Sequence, residues 1–277
     1  MNNHPVAIIT GGGTGIGAAT AAVLRTQGWN VLISGRRPEP LQTIADATGA
    51  TPVVADAACQ PDIERLVATT IDHFGRLDGV VLNAGVVRPG TVGELTDDAW
   101  DTMLSTNLSG PFRLARETLP HLIASRGSVV GVASAAALRA TGGIAGYNAS
   151  KAGLTMLMQS IAVDYGPYGV RANAVCPGWT RTEMADMEMQ DYGSDLGIDY
   201  MDAYKVATSF VPARRPANSS EVAEVIAWLL SDKASYVNSA VLPVDGGMIS
   251  VDPGGLALDP RVTLSPAGQK SDASNFF

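Results

Sequence analysis

The sequence predicts an α/β protein built on a doubly wound parallel sheet, and two observations carry that expectation. Short β-branched runs alternate with helix-favouring stretches along most of the chain, and the first run breaks into a glycine-dense turn that opens a helix. Strands this continuously apolar belong in a sheet covered on both faces, and right-handed crossovers distribute the covering helices over both sides.

The first strand is expected at Val6 to Thr10, followed by the turn Gly11-Gly12-Gly13-Thr14-Gly15-Ile16-Gly17 and a helix over Ala18 to Gln27. Glycine permits positive φ and close approach of backbone to a pyrophosphate, while free amides at a helix start favour an anion. Gly11, Gly13, Thr14, Gly15, Ile16 and Gly17 are therefore candidate cofactor-binding residues of a Rossmann-like site at the C-terminal strand edge.

Further strands are expected at Asn30 to Ser34, Pro52 to Ala55, Gly79 to Leu82, Gly127 to Val132, Val170 to Val175 and Ala240 to Val244. The second ends in Ser34-Gly35-Arg36-Arg37, with no acid to bind a ribose 2′-hydroxyl and two arginine forks suited to a 2′-phosphate. This favours NADP, with NAD as the alternative, and nominates Arg36 first and Arg37 second. A last helix starts with the capping box Asn218-Ser219-Ser220-Glu221 and continues in a core-facing stripe of Val222, Val225, Ile226, Leu229 and Leu230. One domain over residues 1–250 and a Pro-, Gly-, Ser- and Asp-rich tail over 251–277 are expected.

At 277 residues, 46% hydrophobic and 17% charged, the chain is long enough to fill one core. It has no apolar run of membrane-spanning length, and Met1-Asn2-Asn3-His4-Pro5 lacks the layout of a signal peptide, so a cytoplasmic location without membrane contact is expected. Cys59 and Cys176 read as packed thiols, and the scattered His4, His73 and His121 give no metal site. A net charge of −8 disfavours nucleic acid as a partner.

Tyr147 and Lys151, at i and i+4, share one helix face. An ammonium about 4 Å from a phenol, at an effective dielectric of about 20, is worth about 4 kcal/mol, or about three pKa units. The phenol is then expected to titrate far below its usual value and to serve as acid and base.

The turn spacing Thr10, Gly11, Gly15, Gly17, followed by Asp56, Asn83-Ala84-Gly85, Asn107, Ser134, Tyr147, Lys151, Pro177-Gly178 and Val244-Asp245-Gly246-Gly247, resembles the short-chain dehydrogenase/reductase family over nearly the whole chain to about residue 250. The likeness is nearest to 3-oxoacyl-carrier-protein reductase-like members. It implies an oxidoreductase that transfers hydride between a nicotinamide and a secondary alcohol or ketone. In that reading Tyr147 is the general acid/base, and Lys151 supports it and holds the nicotinamide ribose. Ser134 holds the substrate oxygen, and Asn107 holds a water that links Lys151 to solvent. Asp56 would meet adenine, and Asn83, Ala84 and Gly85 would line the adenosine side. Pro177, Gly178, Thr180 and Thr182 would meet the nicotinamide carboxamide and phosphates.

Family members form tetramers or dimers through helices that correspond to about 97–119 and 147–164, so a homo-oligomer is expected, and the tail from Val251 could extend across a neighbour. Ser134 is no hydrolase nucleophile, since Gly131-Val132-Ala133-Ser134-Ala135-Ala136 is not G-x-S-x-G and no histidine is paired with it. An acidic carrier protein is a poor substrate partner here, because the chain is itself acidic and Tyr168 stands where a basic docking residue is expected. A non-catalytic dinucleotide-binding regulator would lose part of the set Asn107, Ser134, Tyr147, Lys151, and all four are kept. A sugar-nucleotide epimerase or dehydratase conflicts with the chain length and the turn spacing.

The family's substrate loop falls at about 181–212. Its part 183–202 reads as a loop or broken helix with Glu183, Asp186, Glu188, Asp191, Asp195, Asp199 and Asp202 and no lysine or arginine. That field, with Trp179, Met184, Met187, Met189 and Met201 as adaptable apolar surface, predicts a neutral, fairly apolar ketone or alcohol as substrate.

Overall fold

The computed structural model describes residues 4–256, so residues 257–277 of the expected tail lie outside the described residues. Seven parallel strands form the central sheet: β1 (Val6–Thr10), β2 (Asn30–Gly35), β3 (Thr51–Val54), β4 (Gly79–Leu82), β5 (Ser128–Val132), β6 (Arg171–Pro177) and, later in the chain, β9 (Val241–Val244). Their order is β3-β2-β1-β4-β5-β6-β9, so the chain reverses its winding direction between β1 and β4. The strands fall within a few residues of their expected places. Two two-residue strands, β7 (Thr180–Arg181) and β8 (Ala217–Asn218), form a separate parallel pair.

Period-2 alternation decides which layer each strand residue enters. Val6 and Ile8 of β1 face one apolar cluster and Ala7 and Ile9 face the other. The first cluster is closed by α3 (Gln60–Phe74), α5 (Gly110–Ser125) and α6 (Ala145–Tyr165). The second is closed by α1 (Gly15–Thr26), α2 (Pro38–Thr48) and α9 (Ser219–Leu230), and α1 packs directly on α9. The α9 start has the expected box, with the Asn218 amide donating to Glu221 at 2.8 Å, and its stripe is core.

Before α5 lies α4 (Asp97–Leu104), joined to it by the π-helical turn Ser105–Ser109. The expected substrate loop is largely helical: α7 (Glu183–Leu196) and α8 (Tyr200–Ala207) break at Gly197, whose φ of +70° ends α7 in a left-handed cap. A short α10 (Pro253–Leu256) ends the described chain. Among the described residues no helix is long and apolar enough to cross a membrane. Cys176 is buried, but Cys59 is exposed at the start of α3, so the packed-thiol expectation fails for Cys59. Its place before a helix that begins in Gln60-Pro61 puts it at a turn instead of in a core stripe.

Candidate active site

The glycine turn leaves β1 at the winding reversal, the crevice where open α/β sheets bind ligands. Gly11 and Gly15 have φ of +64° and +53°, which an L side chain rarely adopts. Asn83 braces the turn from β4, its Nδ2 donating to the carbonyls of Thr10 (2.8 Å) and Gly11 (3.1 Å), while the amides of Asn83 and Ala84 donate to Thr10 Oγ1. Thr14 makes no side-chain cap on α1, which leaves the first-turn amides to an incoming anion.

The turn is close-packed. A Cβ at Gly17 would stand 2.3 Å from the Gly11 carbonyl oxygen and 2.6 Å from Asn83 Nδ2. Alanine at a helical glycine usually stabilises by about 1 kcal/mol. Gly17→Ala is expected to do the opposite: to lower the melting temperature and weaken dinucleotide binding at least about tenfold, because backbone has to move. Calorimetry and a fluorescence titration check both, and a more stable variant with intact binding would show that the turn relaxes freely.

From the turn a cleft runs past Gly35, Arg36, Arg37, Asp56, Ala84 and Gly85. Asp56 is partly committed to its own turn, accepting from the Ala58 amide at 2.9 Å. Arg36 is exposed at the cleft and has no described ion pair. Arg37 does have one: its Nη1 and Nη2 donate to both carboxylate oxygens of Glu183, at 2.8 and 2.5 Å. The second-choice phosphate ligand is therefore already engaged.

Tyr147 and Lys151 lie in the first turns of α6, a helix anchored by Leu154, Met158 and Ile161 in the core. Lys151 is 3% exposed and its Nζ donates to the Val132 carbonyl at the end of β5, at 2.8 Å. The same nitrogen lies 5.7 Å from the centroid of the Tyr147 ring. Ser134, just past β5, hydrogen-bonds the Tyr147 phenol. Gly85 closes the floor, since a Cβ there would stand 3.1 Å from Lys151 Nζ and 3.5 Å from Asn107 Oδ1.

Asn107 is fully buried in the π-helical turn, not in an ordinary helix interior. Its Oδ1 accepts from the Val86 amide (2.8 Å) and its Nδ2 donates to the Val86 carbonyl (2.9 Å) and to Ser150 Oγ (3.0 Å). Ser150 Oγ in turn donates to the Tyr147 carbonyl at 2.9 Å. Both side-chain donors of Asn107 are thus spent, and only the second Oδ1 lone pair and the backbone remain for a water.

Desolvation overrides the expected lowering of the phenol. Burial pushes Tyr147 above its ordinary value, against the Ser134 hydrogen bond, with Glu188 and Cys176 adding a smaller push upward. Burial also pushes the Lys151 ammonium down to about 8. The four-ångström expectation fails because Nζ is drawn to the Val132 carbonyl and because desolvation works against the charged form of both groups. At neutral pH the phenol therefore holds its proton.

Across the cleft, Thr182 caps α7 by accepting from the Ala185 amide at 3.2 Å, and its methyl would meet a Cβ at Gly15 at 3.0 Å. Thr180 is buried, its hydroxyl on the Gly178 carbonyl at 3.1 Å, and Pro177 closes β6. Gly178 is needed because a Cβ there would press to 2.9 Å on Asp245.

The expected uncompensated acidic field is corrected for two of its seven carboxylates, Glu183 and Asp202, which have cation partners. Glu183 pairs with Arg37, Asp202 with Lys205, Asp186 accepts from the Tyr204 hydroxyl at 2.8 Å, and Asp199 caps α8. Met189 belongs to a small core with Ala203 and Tyr204, against which Trp179 packs, while Met184, Met187 and Met201 are partly exposed. Glu188 is the carboxylate of this segment that bears on Tyr147.

The family model described as enoyl-(acyl carrier protein) reductase matches residues 11–249. The chain belongs to the short-chain dehydrogenase/reductase family. It is an NAD(P)-dependent oxidoreductase of that family. Protein MoaE of Klebsiella aerogenes is 40% identical over 258 residues, covering 89% of this chain and 96% of the relative. Levodione reductase of Leifsonia aquatica is 36% identical over 256 residues, covering 87% and 93%. A solved structure of a variant actinorhodin polyketide ketoreductase with NADPH superposes with a TM-score of 0.85 at 32% identity, covering 90% of this chain and 98% of that one. The short-chain dehydrogenase/reductase match spans both the glycine turn and the Tyr147 cluster, which meet where Gly85 of the cleft lies against Lys151.

Proposed function

We propose that this enzyme prefers NADP and interconverts a ketone and a secondary alcohol, with Tyr147 giving or taking the proton at the substrate oxygen. The observation that supports it most is the cluster of half-buried Tyr147 and Ser134 with buried Lys151 beside the glycine-lined cleft. The cleft fits a dinucleotide: Gly11, Gly13 and Thr14 line it, and the α1 amides face it uncapped. Gly13, Ile16, Ala84 and Asp56 would hold the nucleotide, and Gly178, Thr180 and Thr182 the nicotinamide end. When bound, the nicotinamide supplies or accepts the hydride. Ser134 orients the substrate oxygen towards the phenol, and Lys151 holds ribose hydroxyls and keeps positive charge behind the phenol. Asn107 fixes the Val86 backbone and Ser150, and with them the first turns of α6.

The cofactor preference rests on Arg36 and on the lack of an acid at the end of β2. Arg36→Ala is expected to weaken NADPH binding about ten- to hundredfold, the loss of a charge-assisted pair, with little change for NADH. Isothermal titration with both cofactors checks it, and equal losses would assign Arg36 to the fold. Use of NAD by the same chemistry is the second reading, favoured only by the engagement of Arg37. The relatives' substrates, a levodione and polyketide ketones by name, support a carbonyl substrate. Partly exposed Met184, Met187 and Met201 on α7 and α8 support an apolar one. Phe112 on α5 and Met156 and Val163 on α6 are exposed, which supports assembly into a dimer or tetramer through these helices.

A further inference from the structure

The Arg37–Glu183 pair joins two parts of the site that the sequence keeps 146 positions apart. Arg37 follows β2 at the cleft, beside Arg36. Glu183 opens α7, immediately after Thr182, which packs against Gly15 of the glycine turn. The pair is 58% and 42% exposed, so a phosphate in solution can reach it. Glu39 bears on the same guanidinium as a second, weaker negative charge. Both terminal nitrogens of Arg37 are on one carboxylate, and that is the same two-pronged face a phosphate would need.

We propose that Glu183 is a specificity-determining residue for the cofactor: it withholds Arg37 from a 2′-phosphate, so Arg36 alone discriminates NADP from NAD. The proposal rests on the reading of this cleft as the cofactor site, but not on which cofactor is preferred. A ligand phosphate has to displace the carboxylate and also meets its negative charge. Removing that charge while keeping the side-chain shape frees the fork.

Glu183→Gln is expected to tighten NADPH binding about three- to tenfold, the range open to an exposed pair plus one relieved repulsion, and to leave NADH within about twofold. The gain should shrink as salt is raised. In the double variant Glu183→Gln with Arg37→Ala the gain should disappear, because the freed group is gone. Titration of intact enzyme and variants with NADPH and NADH reads all of this. Unchanged NADPH affinity in Glu183→Gln, an equal shift for both cofactors, or a gain that survives in the double variant would each overturn the proposal. A wild-type preference for NADH would instead overturn the NADP reading above, and the change of ratio in Glu183→Gln would still decide the role of Glu183.

Discussion

Tyr147→Phe is expected to lower turnover by about two to four orders of magnitude while NADPH still binds within about twofold of wild type. General acid catalysis contributes about 10²–10⁴-fold, and phenylalanine removes the hydroxyl but keeps the ring beneath which Lys151 lies. The Ser134 hydroxyl loses the phenol but still accepts from the Ala136 amide at 3.1 Å, and the α6 backbone is held independently through Ser150 and Asn107. Steady-state rates with the best ketone, alongside cofactor fluorescence, test this. A variant that reduces the ketone at near wild-type rate would remove Tyr147 from the chemistry.

Lys151→Met is expected to lose at least about a hundredfold in turnover and yet to be no less stable at pH 7. The folded-state pKa of Lys151 is depressed from 10.5 to about 8, so between these values the unfolded chain binds more protons than the folded one. Wild-type stability from this group therefore rises with pH from about 8 to about 10.5. Below pH 8 burial of the charge costs about 3 kcal/mol, at about 1.4 kcal/mol per unit. Methionine removes that cost and leaves the Val132 carbonyl without its donor, which takes back about 1–3 kcal/mol.

The variant should match or exceed wild type in melting temperature near pH 7 and fall behind as pH approaches 10. In wild type, ketone reduction should also slow as pH rises through about 8, where the ammonium is lost. Thermal scans from pH 6 to 10 and a rate–pH profile supply the check. A variant several degrees less stable at pH 7, with turnover retained, would make Lys151 a structural residue only.

Much of this site was legible in the chain. The alternation of β-branched runs locates strands because a sheet buried on both faces demands apolar side chains at nearly every position, as β1 and β4 show. The glycine spacing locates the cleft because glycine adopts φ of +64° at Gly11 without the strain of a side chain, and only glycine tolerates the close approach at Gly17. The i, i+4 spacing of Tyr147 and Lys151 sets them on one face through local helix geometry alone.

Other properties depended on what the fold brings together. The carboxylates of 183–202 read as an open negative field, yet Arg37 neutralises Glu183 from the far side of the cleft, and no local pattern records that meeting. The direction of the Tyr147 shift was likewise beyond the chain, because spacing fixes the neighbours of a phenol but not its exposure to water. Val132 holds the ammonium, and burial raises the phenol and lowers the amine together. Periodicity and turn chemistry are short-range and survive in a linear reading, so the sequence by itself determined the sheet, the glycine cradle and the Tyr147–Lys151 face. Desolvation and ion pairing depend on which distant groups share a volume from which water has been removed, so the tertiary structure alone decided the charge states and the engagement of Arg37.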